Sequence, residues 1–227
     1  MDENTGSAAN DASGNGFSGT ISGATFVTGK RNYALNFDGT DDYVDMNDVD
    51  LLGGSSYHDF SITGWFNRDT SNSDDTILAN RNSPTENADD GFIVYIDDST
   101  DKLTFEVSDD ADTDEYQLES SSTIISTGWN HFTIVWDDSS VSGTKMYING
   151  IEENVTRTGT LANVGTFYDD GGNVDLRIGG ESDTATDSPF DGKLDDIRIY
   201  RYALNQQQIN GIISEGALRF APNEGSP

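Results

Sequence analysis

The chain has 227 residues and no cysteine, and its 41 acidic residues against 12 basic ones give a formal net charge of −29. This charge excludes nucleic acid as a partner and disfavours an anionic membrane surface, because both are bound through clusters of Lys and Arg. Without cysteine there is no disulfide framework, and no stretch reads as a signal peptide or a membrane span, so we expect no membrane insertion.

Alternating apolar residues predict a series of β-strands from residue 33 onwards. In YALNFDG the side chains of Tyr33, Leu35 and Phe37 share one face, as period-two alternation requires. Residues 2–25, rich in Gly, Ser, Asn and Thr, contain short strands at most. The predicted strands are 33–39, 42–46, 58–67, 75–80, 91–98, 102–109, 115–120, 128–138, 143–153, 174–181 and 193–201.

Turn residues separate these strands at fairly regular intervals. DDSTD (97–101) is a plausible hairpin turn, and the Asn149-Gly150 pair between apolar flanks is a strong hairpin signal. Residues 202–213 are the one good helix candidate. The pattern predicts an all-β fold: a two-sheet antiparallel jelly-roll sandwich with one short C-terminal helix. We assign residues 1–214 to this domain and 215–227 to a linker or tail.

An acidic signature occurs twice, as FDGTDDYVDM (37–46) and as FDGKLDDIRIYRYAL (190–204). Two similar segments so far apart are expected if the first and last strands of a closed β-fold lie side by side. Carboxylates this close repel one another unless a positive group joins them. Ca²⁺, which prefers oxygen ligands, is the economical candidate.

Five segments in order carry a family resemblance: DASGNGFSGTISGA, ALNFDGTDDYVDM, FSITGWF, GWNHFTIVWDDSSVSGTKMYINGI and FDGKLDDIRIYRYALNQQQI. Together they resemble the concanavalin A-like, laminin-G-like jelly-roll superfamily in its bacterial, secreted multidomain form. The resemblance implies a sandwich that is often stabilised by structural Ca²⁺ and that binds glycans or protein partners. It also implies an extracellular location, secreted or on the cell surface, as one module of a larger protein.

The resemblance also suggests which residues hold the metal. Asp11 and Asn15 in DASGNG form one limb of the site, and Asp195 or Asp196 in KLDDIRIY forms the other. Strand alternation sends Asp195 and Asp196 to opposite faces, and the resemblance favours Asp195. Weaker candidates from the first acidic signature are Asp38, Asp41 and Asp42. The alternative is that the DASGNG residues only form Asx-type turns.

The motifs give little support to an enzyme. Glycoside hydrolases of this fold carry two carboxyl groups, commonly in an E-x-D-x-x-E run, which this chain lacks. Glu106 lies with Thr104 and Ser108 on the polar face of its strand, which either lines a groove or meets solvent. His58 and His131 have no metal-ligand spacing, and His131 is expected to be structural.

We therefore expect a non-catalytic, calcium-stabilised carbohydrate-binding module that works through loops at one end or along the concave sheet. The alternatives are a structural or protein-binding adhesin module and, less favoured, a polysaccharide-degrading domain. Trp65, Trp129 and Trp136 lie in predicted strands and are expected to pack rather than to stack on sugars. The candidate ligand-binding residues are Asp89, Asp90, Asp112, Asp114, Tyr116, Tyr168, Asp183 and Asp187.

Overall fold

The protein is an all-β sandwich of two antiparallel sheets, as predicted. A computed structural model describes residues 3–46, 59–69, 73–81, 91–108, 115–124, 128–137, 143–159, 175–181 and 188–215. From edge to edge, the nine-stranded sheet contains β1 (Ala8–Ala9), β2 (Gly19–Ser22), β5 (Tyr43–Asp45), β15 (Arg177–Ile178), β7 (Asp75–Arg81), β8 (Gly91–Asp97), β9 (Lys102–Ser108), β10 (Glu115–Thr123) and β14 (Val155–Gly159). The seven-stranded sheet contains β13 (Ile151–Glu152), β12 (Lys145–Ile148), β11 (Asn130–Trp136), β6 (Phe60–Arg68), β16 (Asp191–Tyr200), β4 (Tyr33–Asp38) and β3 (Thr25–Thr28).

The core lies between the two sheets and is rich in aromatic rings. Phe60 stacks on Trp136 at 6.0 Å between ring centroids, and Phe105 meets the same indole edge-on at 6.0 Å. Trp136 is 1% exposed and Trp65 is 5% exposed, so the packing role predicted for these two tryptophans is confirmed. Both predicted hairpins also form, since Asp97 pairs with Lys102 and Ile148 pairs with Ile151.

The two copies of the acidic signature lie on neighbouring strands, as expected. Asp38 of β4 is paired with Asp191 of β16, and the Phe37 and Phe190 rings meet edge-on at 6.1 Å. Gly192 is required here, because its φ is +136° and a Cβ would lie 2.3 Å from the carbonyl oxygen of Asn67. The two FDG tripeptides therefore lie side by side where β4 pairs with β16 in the seven-stranded sheet.

A buried ion pair joins the two sheets near this junction. The guanidinium of Arg68 in β6 donates through Nε to the carboxylate of Asp75 in β7, and both side chains are almost fully buried. Arg68 also donates through Nη1 to Asp101 in the β8–β9 turn at 2.5 Å. The second oxygen of Asp75 accepts the backbone N–H of Asp191 at 3.0 Å. One carboxylate of the nine-stranded sheet thus binds groups on two strands of the seven-stranded sheet, β6 and β16.

The C-terminal helix α1 (Gln206–Ser214) begins four residues later than predicted. Asn205 caps it in a capping box with Gln208. The preceding residues are held to the sheet instead, because Ser61 Oγ accepts the N–H of Leu204 at 2.9 Å. Ile209 and Ile212 of α1 pack on the outer face of the seven-stranded sheet. Among the described residues, no helix combines the length and the hydrophobicity that crossing a bilayer demands.

Candidate functional site

The DASGNG loop forms an Asx-type turn built around the carboxylate of Asp11. Asp11 Oδ1 accepts the N–H of Ser13 at 2.8 Å, and Oδ2 accepts the Ser13 hydroxyl at 2.8 Å. Oδ2 also accepts the backbone N–H groups of Asn15, Gly16 and Phe17. Hydrogen bonds from Ser13 in particular lower the pKa of Asp11 to about 2. Five donors from its own loop surround this carboxylate, so the Asx-type turn predicted as the alternative to metal binding forms here.

Asp195 and Asp196 lie in β16 of the seven-stranded sheet, and both bind Arg31 in the loop between β3 and β4. Asp195 is 2% exposed and its Oδ2 accepts the backbone N–H of Arg31 at 2.8 Å. Gly29 allows this approach, because a Cβ there would lie 2.7 Å from the same oxygen. Asp196 pairs with the guanidinium groups of Arg31 at 2.5 Å and Arg198 at 2.7 Å.

The simple strand alternation expected for these two residues does not hold. A register shift falls between Asp195 and Arg198, and Asp196 has a φ of +53°. This bulge inserts an extra residue and re-aims the side chains around it. Hydrogen bonds link Asp195 and Asp196 to Arg31 in the β3–β4 loop, whereas those that Asp11 accepts come from the loop before β2.

Two groups of three carboxylates lie close enough to hold a metal ion among the described residues. One consists of Asp38, Asp41 and Asp42, whose ligand oxygens lie within 4.8 Å of one another. We call it the β4–β5 acid cluster. Burial raises the pKa of Asp42, and the charges of Asp38 and Asp41 add to this rise. The three carboxylates are therefore held together against their mutual repulsion.

The second acidic group was not anticipated from the sequence. It contains Asp74, Asp97 and Asp98, which the β8–β9 hairpin and the start of β7 bring together. Asp97 Oδ1 accepts four hydrogen bonds from the backbone and side chains of Ser99 and Thr100. Asp97 thus caps its own turn, which makes this group a poorer metal candidate than the β4–β5 acid cluster.

A polar patch crosses the outer face of the nine-stranded sheet, the face turned away from the core. Tyr95 of β8, Glu106 of β9 and Gln117 of β10 lie on adjacent strands, and Gln117 pairs directly with Glu106. The Tyr95 hydroxyl is 3.5 Å from Glu106 Oε2 and accepts from Gln117 Nε2 at 3.3 Å. Burial, with the Glu106 charge next, raises the pKa of Tyr95. We call these three residues the outer-face triad.

A second aromatic and cationic pair lies further across the same sheet. The guanidinium of Arg177 in β15 lies 4.5 Å above the ring of Tyr43 in β5. Arg177 is in the same cross-strand row as Glu106 and Gln117, because Arg177 pairs with Ala79, Ala79 with Ile93, and Ile93 with Glu106. Planar rings and side chains with several donors and acceptors are typical of small-ligand sites.

Of the ligand-binding residues predicted from the sequence, Tyr116 is misplaced. It was expected to contact ligand next to the acidic loop that precedes it, but in β10 it is 1% exposed and meets Trp136 edge-on at 6.0 Å. A ring this deep in the core cannot contact a surface ligand. The remaining ligand-binding predictions lie outside the described residues: Asp89, Asp90, Asp112, Asp114, Tyr168, Asp183 and Asp187.

The fold and the family model agree on the class of protein. A laminin G family model, described as the concanavalin A-like lectin/glucanases superfamily, matches residues 38–210. The chain belongs to the concanavalin A-like lectin/glucanases superfamily. A search among curated protein sequences finds no match for this chain.

Solved structures of similar fold come from toxins and from a sialidase. The binding domain of Paraclostridial Mosquitocidal Protein 1 is 18% identical, with a TM-score of 0.65 over 91% of this chain and 49% of that one. The botulinum neurotoxin serotype G binding domain is 16% identical, with a TM-score of 0.62 over 90% and 48%. The Ruminococcus gnavus IT-sialidase CBM40 bound to α2,3 sialyllactose is 18% identical, with a TM-score of 0.55 over 69% and 82%. These likenesses are in fold, and this chain spans about half of each toxin domain.

Proposed function

We propose that this chain is a non-catalytic carbohydrate-binding module of a secreted or cell-surface protein, one module of a larger protein. The observation that carries the proposal is the outer-face triad. Tyr95, Glu106 and Gln117 present a phenol, a carboxylate and an amide within hydrogen-bonding distance of one another on rigid adjacent strands. Such groups can donate to and accept from sugar hydroxyls, while the ring can stack on the apolar face of a pyranose.

The comparisons support the binding part of this proposal at the level of fold. One solved neighbour is a carbohydrate-binding module seen with sialyllactose, and two others are named as toxin binding domains. An acidic sugar is a poor match for this chain, because the net charge of −29 repels a glycan carboxylate. Glu106 on the triad adds to that repulsion. We therefore propose a neutral glycan as the ligand.

The arrangement of acids favours binding over hydrolysis. Glycoside hydrolysis requires two carboxyl groups that face the scissile bond, one as acid and one as base or nucleophile. Glu119 lies on the same face as Glu106, one strand away, but its carboxylate is bound to Lys102 Nζ at 2.5 Å. A carboxylate that is engaged by a lysine is not free to face a scissile bond. Glu106 is then left as a binding group.

A glycan array that contains neutral and sialylated oligosaccharides tests the ligand class. We expect neutral glycans to bind, and Tyr95→Phe and Glu106→Gln each to weaken the affinity by about tenfold, the value of one hydrogen bond of roughly 1.4 kcal/mol. Tyr33→Phe is the matched control, because Tyr33 is an exposed tyrosine on β4 of the other sheet. Binding of sialylated glycans alone contradicts the charge argument. Binding of no glycan overturns the carbohydrate proposal in favour of a protein partner.

We also propose that a structural Ca²⁺ binds at the β4–β5 acid cluster. Hard carboxylate oxygens within 4.8 Å of one another match the donors that Ca²⁺ prefers. Asp38 Oδ1 accepts the N–H of Thr40, and Asp42 Oδ2 accepts the N–H of Asp38, so each carboxylate has a second oxygen to offer. Asp11, with both oxygens engaged by its own loop, is the less suitable ligand. The ion's role would be to neutralise three crowded negative charges.

Thermal melts in Ca²⁺ and in EDTA test the metal. An ion that binds only the folded state stabilises it by mass action, by about 2.7 kcal/mol when its concentration is ~100 times Kd. We expect a higher midpoint in Ca²⁺, and we expect Asp41→Asn to remove the difference, because Asp41 is an exposed member of the cluster. Asp11→Asn should keep it. An equal midpoint in Ca²⁺ and EDTA contradicts structural calcium, and loss of the difference in Asp11→Asn alone places the ion at the DASGNG loop.

A further inference from the structure

Four polar side chains are buried together on the outer face of the seven-stranded sheet. Thr63 and Trp65 belong to β6, and His131 and Thr133 belong to the neighbouring β11. His131 lies directly opposite Trp65, and Thr133 directly opposite Thr63. Side chains opposite each other on antiparallel strands have Cβ atoms about 4.5–5.5 Å apart. The four form one compact block, which we call the β6–β11 polar block.

Each member of this block is at least 95% buried and carries one polar atom that finds no hydrogen-bond partner among the described residues. Their exposures are 0% for Thr63, 5% for Trp65, 1% for His131 and 0% for Thr133. The atoms are Thr63 Oγ1, Trp65 Nε1, His131 Nδ1 and Thr133 Oγ1. Buried polar atoms in native proteins are almost always hydrogen-bonded to protein or to ordered water. Four in one block are therefore a sign of a bound polar species.

The charges around the block identify the kind of species. Lys30 Nζ lies 4.4 Å from the Trp65 ring centroid, and Arg198 pairs with Thr63 across the strands. The guanidinium groups of Arg31 and Arg198 are bound to the carboxylates of Asp196 and Glu215.

Asp195 lies opposite Trp65 and adds a third carboxylate. The acidic and basic side chains around the block are therefore equal in number: Asp195, Asp196 and Glu215 against Lys30, Arg31 and Arg198. A surplus charge that could hold an ion is therefore missing from this set of described residues. Burial, with the charges of Arg31 and Arg198 next, lowers the pKa of His131 to about 3, so its imidazole is also neutral at neutral pH.

The donor and acceptor types of the block complete the identification. The indole Nε1 of Trp65 can only donate, a threonine hydroxyl donates and accepts, and Nδ1 of a neutral histidine does one or the other. A ligand for all four must be small, neutral and able both to donate and to accept. Water meets these requirements, and it is the species that usually completes such buried networks.

We propose that the β6–β11 polar block is an internal hydration site, in which ordered water hydrogen-bonds Thr63, Trp65, His131 and Thr133. The water would join β6, the central strand of the sheet, to its neighbour β11, beside the ion-pair network that holds the end of α1 through Arg31 and Arg198. Next to the block, Val135 and Tyr147 are covered by α1 through apolar contacts. The block is thus the polar part of a sheet face whose neighbouring apolar part is covered by α1.

The test combines a crystal structure of the full chain with a pair of matched variants. We expect electron density for water within hydrogen-bonding distance of at least two of the four atoms. We also expect Thr63→Val combined with Thr133→Val to lower the melting midpoint, because the methyl groups remove partners from the water. Thr156→Val combined with Thr158→Val on the exposed strand β14 is the control and should leave the midpoint nearly unchanged.

Three results overturn the proposal. One is the lack of solvent density at the block. Another is a melting midpoint of the Thr63→Val, Thr133→Val variant that equals or exceeds that of the parent, because this is the result expected if the two hydroxyls are buried without water. The third is anomalous density at the block after a bromide soak, which identifies an anion site instead. If the double variant does not fold, Thr133→Val alone serves for the melt, and the density criterion stands unchanged.

Discussion

Replacing Asp75 with Asn should lower the free energy of unfolding by about 3–5 kcal/mol, the cost of breaking a buried ion pair by removing one charge. The Asp75 side chain is fully buried and that of Arg68 is 4% exposed, so the remaining guanidinium has little access to water. The same carboxylate accepts the backbone N–H of Asp191, which ties β7 to β16. The substitution therefore weakens the contact between the two sheets as well as the ion pair. Urea denaturation followed by tryptophan fluorescence measures the loss.

Asp101→Asn is the matched control for this prediction. Asp101 is bound by the same guanidinium at 2.5 Å, but its side chain is 58% exposed. Exposed ion pairs contribute about 0–1 kcal/mol, because water and salt screen them. We expect a small loss for Asp101→Asn and a large one for Asp75→Asn. Equal losses for the two would mean that burial does not set the strength of this network.

Replacing Tyr116 with Ala should cost about 3–5 kcal/mol of unfolding free energy, the range for deleting a buried aromatic ring. Tyr116 is 1% exposed and packs edge-on against Trp136, which itself stacks on Phe60. The substitution would leave a cavity beside the rings that pack around Trp136. A variant that is still folded should keep the glycan affinity of the parent, because the ring does not reach the surface.

Tyr116→Phe separates a packing role from a ligand-binding role. It keeps the ring and removes the hydroxyl, which is hydrogen-bonded to Arg157. We expect a loss of about 0.5–1.5 kcal/mol in stability and no change in glycan affinity. Titration of both variants with an array-positive glycan gives the affinity, and urea melts give the stability. A specific loss of affinity in Tyr116→Phe would restore Tyr116 as a ligand-binding residue.

Most of the fold follows from local patterns in the sequence. Period-two alternation predicted the strands around Phe37, Trp65 and Phe105, and the Asn149-Gly150 pair predicted a hairpin that forms. Strands β3 and β14 were missed because TFVT and VTRTG are short and lack clear alternation. The helix was predicted too early, because its apolar spacing does not reveal that Leu204 is bound to Ser61 of β6.

The candidate site was harder to predict because it depends on register. The sequence shows that Glu106 lies on the polar face of its strand, but not that Tyr95 and Gln117 lie beside it. The predicted DDSTD hairpin could have placed Tyr95 near Glu106, since Asp97 pairs with Lys102. Gln117 needed the pairing of β10 with β9, which a single sequence does not reveal. The alternation of apolar residues likewise does not predict the bulge at Asp196.

The position of β16 has a consequence for how the chain folds. This strand lies between β6 and β4, and Asp191 pairs with Asp38 from roughly 150 residues earlier in the chain. Contacts between segments so distant in sequence carry a large entropic cost and slow folding. During synthesis, β4 and β6 leave the ribosome long before the strand that joins them. The edges of both stay open until about residue 200 has been made, so this is the interval in which a chaperone would protect the nascent domain from aggregation.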